Sequence, residues 1–234
     1  MPTTDIFIRS YAKDFPWLMH ALRSVQKFAT GFRDVIVVIP DTDDLPNLTA
    51  ERVVKVRDSM PGYMAQQNSK LHADIYSDAD FFLYMDSDCI LTEPITPETF
   101  RTEGRVNWLH TPWEKAGEDA RRAWFGVMTK CLGEEPSSEF MRRHPQLIPC
   151  WALQEFRGFI ASKHGVSLEY YIGSQPLGAF SEFNCAGFFL SLYHEEKVNW
   201  QNTDDGIPPT VLKQWWSHGG LTPEVLQEIN SILT

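Results

Sequence analysis

The chain has 234 residues, long enough for one well-buried domain and too short for two full-sized ones. Hydrophobic residues make up 43% and charged residues 22%, with 8 Trp, 7 Tyr and 15 Phe, which excludes a disordered segment, a collagen-like repeat and a coiled coil. Its 21 Lys and Arg against 31 Asp and Glu leave a formal charge of −10, which disfavours a general nucleic-acid coat protein while leaving room for a local basic patch.

Ile6-Phe7-Ile8 reads as a short buried strand that runs into the polar Arg9-Ser10-Tyr11. Asp14 then stands where a helix N-cap belongs, with Pro16 in the first turn and Phe15, Leu18, Leu22, Val25 and Phe28 at helical spacing up to Gly31. Val35–Ile39 is a continuous β-branched run, as expected for a strand covered on both faces. A loop from Pro40 to Asn47 with three Asp and two Pro follows, then a weaker strand at Val53–Val56. The spacing predicts a helix over Tyr63–Asp78 with Met64, Leu71 and Ile75 on one side, and a strand at Phe81–Met85 that ends in Asp86-Ser87-Asp88.

The second half is less regular. A strand is expected at Val106–His110, helices at Glu118–Leu132 and Pro149–His164, and strand at Tyr170-Tyr171. Ser181–Tyr193 reads as a helix or a loop entering one, and Thr222–Leu233 as a helix capped by Thr222. Strand–helix alternation in the first half predicts an α/β fold: one domain with a mostly parallel sheet flanked by helices.

Cys89, Cys131, Cys150 and Cys185 form no C-x-x-C pair, so reduced, buried thiols are expected rather than a zinc or redox site. No apolar run approaches the roughly 20 residues of a membrane span. The N-terminal stretch MPTTDIFIRSYAKD lacks the pattern of a secretory leader, and a soluble cytoplasmic protein is expected.

In parallel sheets ligands bind beyond the carboxyl ends of the strands, where both Asp86-Ser87-Asp88 and Arg9-Ser10-Tyr11 fall. Two carboxylates one residue apart at such an end can bear on one Mg²⁺ or Mn²⁺, which prefer oxygen ligands and bridge to substrate phosphates. The ordinary alternative is an Asp-rich surface turn.

The chain resembles the GT-A glycosyltransferases, which place a D-x-D motif after a strand to hold a metal and the diphosphate of a nucleotide sugar. More narrowly, it is similar to a bacterial and phage family of small GT-A-type proteins. The resemblance is carried by Arg9-Ser-Tyr-x-x-Asp14, Gln67-x-x-Lys70-Leu71, Phe82-Leu-Tyr-Met-Asp-Ser-Asp88, Ser181-Glu182-Phe183 and the segment Trp216 to Gly219. It implies a GT-A-like, Rossmann-like fold and metal-dependent transfer of a sugar from a nucleoside-diphosphate sugar, most often a uridine diphosphate sugar, to a hydroxyl. Mn²⁺ or Mg²⁺ would sit on Asp86 and Asp88, with His218 as a third ligand. Arg9, Ser10, Tyr11, Asp14, Gln67, Lys70, Ser87 and Gly219 would bind the nucleotide sugar, with residues 1–100 as the nucleotide-sugar-binding half of the one domain and 101–234 as its acceptor-side half.

Gln67, Lys70 and Asp74 share one helix face, so Lys70 is placed to reach a phosphate or brace the carboxylates, or else to make a plain i,i+4 pair with Asp74. Glu182 opens an otherwise apolar stretch, where an unpaired carboxylate is costly. It is the expected catalytic residue, either as the base for the acceptor hydroxyl or as a ligand of sugar hydroxyls; a plain helix-start Glu is the alternative. Trp113 and Asn184 are expected on the acceptor side, within a surplus of indoles (Trp108, Trp113, Trp124, Trp151, Trp200) suited to sugar rings. The acceptor stays open among polysaccharide, small molecule, protein and a hydroxylated phage DNA base; nucleic acid enters only as an acceptor. The rival chemistry is a haloacid-dehalogenase-type phosphatase with Asp86 as nucleophile, Asp88 as acid/base and Asp204-Asp205 as the later acidic pair. A non-catalytic sugar- or nucleotide-binding module is a third reading.

Overall fold

The computed structural model describes residues 2–44, 52–141 and 145–234. In chain order it contains β1 (Thr4–Arg9), α1 (Phe15–Phe28), β2 (Val35–Pro40), β3 (Arg52–Val56), α2 (Gly62–Lys70), α3 (Ala73–Tyr76), β4 (Phe81–Tyr84) and β5 (Cys89–Leu91). There follow β6 (Arg101–Thr102), β7 (Arg105–Pro112), α4 (Glu118–Ala120), a π-helical turn (Arg121–Phe125), α5 (Gly126–Leu132), β8 (Ser138–Glu139) and β9 (Gln146–Pro149). The chain closes with α6 (Cys150–His164), α7 (Leu168–Gly173), α8 (Glu182–Tyr193), β10 (Val198–Asn202), β11 (Leu212–Gln214) and α9 (Pro223–Leu233).

The central sheet has the order β3-β2-β1-β4-β9. Its first four strands are parallel, and β9 from the second half closes the edge antiparallel to β4. Ile6 faces Val35 on one side and Leu83 on the other, so the two most apolar runs flank the centre. Ile6–Ile8 and Ile36–Ile39 are wholly buried, which explains why these strands read as unbroken apolar runs. A second sheet, β10-β7-β6 with β8 on β7, and the pair β11-β5 carry the second half. This is the expected α/β architecture with a mostly parallel sheet flanked by helices.

Helix α8 is buried from Glu182 through Leu190. Its sequence is apolar on every side, which suits a helix enclosed by the core rather than lying on the surface. Gly187 lets it approach Phe140 and Trp108: a Cβ there would lie 2.6 Å from Phe140 Cβ and 3.0 Å from Trp108 Cε2. Ser181 caps it by accepting from the Asn184 amide. Glu182 is thereby held at a fixed point against the sheet.

Several sequence expectations are corrected. The helix predicted over Tyr63–Asp78 breaks at Leu71-His72, where three of its carbonyls are taken by side chains: Tyr84 donates to Lys70 O at 2.8 Å, Arg157 donates to Leu71 O at 2.7 Å, and the His72 ring bonds Asn68 O at 2.8 Å. Ile75 is 67% exposed and not part of the apolar side. Tyr170-Tyr171 lies in helix α7, whose N-cap Ser167 accepts from the Tyr170 amide, so no strand forms there. Asp14 occupies the N-cap position of α1 without a capping bond and turns its carboxylate to Ser217 instead. The loop Pro40 to Asn47 and the basic run Arg142-Arg143-His144 lie wholly or partly outside the described residues. All four cysteines are free, with Cys89, Cys131 and Cys185 buried. Among the described residues no helix is long and apolar enough to cross a membrane.

Candidate active site

The carboxyl ends of β1, β2 and β4 open into a cleft of about 840 Å³. Its lining comes from both halves of the chain: Arg9, Ser10, Tyr11 and Asp14 after β1, Pro40, Asp43 and Asp58, one face of α2, Asp86 to Asp88, Trp124, Met141, the start of α8, and Gln214, Trp216 and Ser217.

At its centre lies Lys70, 2% exposed at the end of α2. Its Nζ is 2.8 Å from Asp86 Oδ1 and 2.8 Å from Glu182 Oε1, and it stands 5.0 Å from the centre of the Phe183 ring. The backbone is fastened as well, since the Tyr84 hydroxyl donates to Lys70 O at 2.8 Å. Burial opposes the ammonium charge, but Asp86 and Glu182 outweigh it and hold the Lys70 pKa above its usual range. An ordinary Lys70–Asp74 pair does not form, because Asp74 is engaged by Arg157 at 2.5 Å. The Gln67–Lys70 face therefore looks into the cleft and not into solvent.

Asp86 also accepts from Gln66 Nε2 at 3.1 Å. Asp88, two residues on, is clasped by the C-terminal segment: Gln214 Nε2 donates to its Oδ1 at 3.3 Å and the Ser217 amide to its Oδ2 at 3.1 Å. The pairing of β11 with β5 brings that segment there, an arrangement between residues 126 positions apart. Burial, and then the charge of Asp86, push the Asp88 carboxyl above the ordinary carboxylate range; burial does the same to Asp14. Asp86 and Asp88 thus present two carboxylates at one strand end, the hard-oxygen type of donor that divalent cations prefer.

The other predicted residues divide. Ser10, Tyr11, Asp14, Gln67 and Ser87 line the cleft. Arg9 lines it too, but its guanidinium is committed: Nη2 reaches both Asp58 oxygens at 2.7 Å, and Nη1 donates to Ser10 O and Val38 O. The side-chain acceptors Ser10 Oγ and Gln67 Oε1 are buried there without a protein partner among the described residues. His218 and Gly219 fall on the turn Ser217–Gly219, exposed and outside the lining. Among the described residues no three His, Cys, Asp or Glu side chains are grouped to hold a metal ion, so His218 does not join Asp86 and Asp88 in this arrangement.

Trp113 and Asn184 are not in the lining either. Trp113 is buried and packs edge-on against Phe125, with ring centres 5.6 Å apart. Asn184 is fully buried, its Oδ1 accepting from the Phe140 amide at 2.7 Å. Trp108 is likewise core, donating to Phe140 O. Asp204 pairs with Lys115 at 2.7 Å, and neither it nor Asp205 reaches the cleft to complete a phosphatase-type acidic pair. Sequence reasoning missed Asp58, Tyr63, Gln66, Gln214 and Trp216. Of these, Trp216 alone had a signal, as part of the segment Trp216 to Gly219.

Among solved structures, the chain is similar to galactosyltransferase LgtC, crystallised in complex with donor and acceptor sugar analogues. The match covers 98% of this chain and 95% of that one at 12% identity, with a TM-score of 0.56, which establishes a shared GT-A fold. No curated protein sequence matches the chain. The profile of a family of unknown function, DUF6492, matches residues 17–201, and the chain belongs to that family.

Proposed function

We propose that the protein is a metal-dependent glycosyltransferase that moves a sugar from a nucleoside-diphosphate sugar to a hydroxyl acceptor. One observation carries this reading: in a single cleft at the ends of parallel strands, Lys70 ties the D-x-D carboxylate Asp86 to Glu182, with Asp88 beside them. The likeness of fold to a galactosyltransferase supports it.

Asp86 and Asp88 would be the residues that hold Mn²⁺ or Mg²⁺. Bound there, the cation supplies neutralisation of the leaving diphosphate. Ser10, Tyr11, Asp14 and Gln67 take the nucleoside and sugar, residues 1–100 supplying most of that half, and uridine diphosphate is the favoured carrier. Arg9 acts from behind, fixing the end of β1 through Asp58. Glu182, nearly buried yet in the lining, accepts the proton of the attacking acceptor hydroxyl as the bond from that oxygen to the anomeric carbon forms and the bond to the diphosphate oxygen breaks.

The test is calorimetric titration of uridine diphosphate with Mn²⁺, Mg²⁺ or chelator, on the wild type and on Asp88→Ala. Binding that needs the cation and is lost in the variant is expected. Absence of cation-dependent binding for every nucleoside diphosphate tried would refute the reading.

A further inference from the structure

We propose that the acceptor taken by this cleft is an uncharged, pyranose-bearing carbohydrate stacked on Trp124, and not an anionic acceptor such as a nucleic acid. The inference rests on the transferase reading above.

Trp124 belongs to the π-helical turn Arg121–Phe125 between α4 and α5. A π turn changes the side-chain register of a helix, and such turns concentrate at functional sites. Trp113 and Arg121 hold the neighbouring Phe125 from two sides, by an edge-on ring contact and by a guanidinium 5.0 Å from the ring centre. With Phe125 anchored, Trp124 is presented to the cleft, where it is half-buried in the lining. An indole in the cleft wall suits a pyranose, whose C–H face is apolar and packs on an aromatic ring.

The position suits an acceptor. Met141 lies in the same lining and receives a hydrogen bond from Ser181 Oγ at 3.2 Å, which ties it to the start of α8, where Glu182 stands. Trp216, 68% exposed on the segment that clasps Asp88, is the second indole of the lining.

The charge of the cleft decides against an anion. Six carboxylates line it, against only Arg9 and Lys70, and both cations are already held in ion pairs. The donor diphosphate would enter with its divalent cation. An anionic acceptor has no such escort and meets a field of its own sign.

The experiment is calorimetric titration, in uridine diphosphate and Mn²⁺, with methyl glycosides of neutral hexopyranoses, the corresponding uronates, and an oligonucleotide carrying 5-hydroxymethyl bases. At least one neutral glycoside should bind, its uronate about tenfold more weakly, and the oligonucleotide not at all. Trp124→Ala should lose about tenfold in glycoside affinity and Trp124→Phe should recover most of it, at matched thermal midpoints. Four results would overturn the inference: no neutral glycoside binds, the uronate binds as tightly, the oligonucleotide binds, or Trp124→Ala leaves glycoside affinity unchanged. Uridine diphosphate and Mn²⁺ titrated alone into the wild type report the donor site independently. If that binding is absent, the transferase reading itself fails; if present, any of the four results condemns only the acceptor assignment.

Discussion

Replacing Lys70 with Met tests whether the centre of the cleft is built around one ammonium. The side chain is 2% exposed and each of its two bridges spans 2.8 Å. At an effective dielectric constant of about 20, each attraction amounts to roughly 6 kcal/mol before desolvation is charged against it. Met fills nearly the same volume, so little cavity cost is added. The loss comes from Glu182, 3% exposed and left with a buried, unpaired charge; Asp86, at 19%, keeps Gln66 and contact with water. Removing one partner of a buried pair costs about 3–5 kcal/mol. For a domain of this size that is a fall of roughly 6–20 °C in midpoint. The assay is reversible urea unfolding of Lys70→Met, Glu182→Gln and the double variant. Since Gln at 182 removes the stranded charge, the double variant should be more stable than Lys70→Met alone. A loss below about 1 kcal/mol for Lys70→Met, or simple additivity of the two losses, would refute the reasoning.

Three further outcomes follow from other parts of the fold. Arg9→Lys keeps the charge but not the planar fork that meets both Asp58 oxygens and two carbonyls, so unfolding free energy should drop by about 2–3 kcal/mol; an unchanged urea midpoint would show that the fork is dispensable. Gly187→Ala forces a methyl against Phe140 and Trp108 and should cost about 1–3 kcal/mol by thermal or urea unfolding, where a surface Gly→Ala in a helix would stabilise. Burial, only partly offset by the hydrogen bond to Asn68 O, lowers the His72 pKa below its unfolded value of about 6.5. The unfolded chain therefore takes up the proton first, and His72's contribution to stability, full above about pH 6.5, is lost as the pH falls from there through the lowered folded value. His72→Gln should flatten that part of the stability–pH curve, and an unaltered slope between pH 7 and 5 would contradict the assignment.

The first-half strands were legible in the sequence because strands covered on both faces need unbroken apolar runs, β-branched at Val35–Ile39 and largely aromatic at Phe81–Tyr84. The strand end at Asp86-Ser87-Asp88 was legible for the same reason, since an apolar run that stops at two carboxylates marks where the sheet meets solvent. So was Glu182, because a carboxylate opening an apolar stretch must find a partner. What periodicity could not supply was the identity of partners far apart in the chain. Lys70 meets Glu182 across 112 positions, Gln214 meets Asp88 across 126, and Arg9 meets Asp58 across 49, and none of these pairs leaves a spacing signal. The same limit misplaced the aromatic residues. Trp113 and Trp124 look alike as letters, yet Trp124 on the π turn lines the cleft while Trp113 is buried against the neighbouring Phe125. Local composition determines which segments become strands and helices and where the sheet ends. Only the packing of α8 and the C-terminal segment against that end decides which charged groups share one low-dielectric cleft, because a buried charge is placed by its partner and the partner is chosen by the fold.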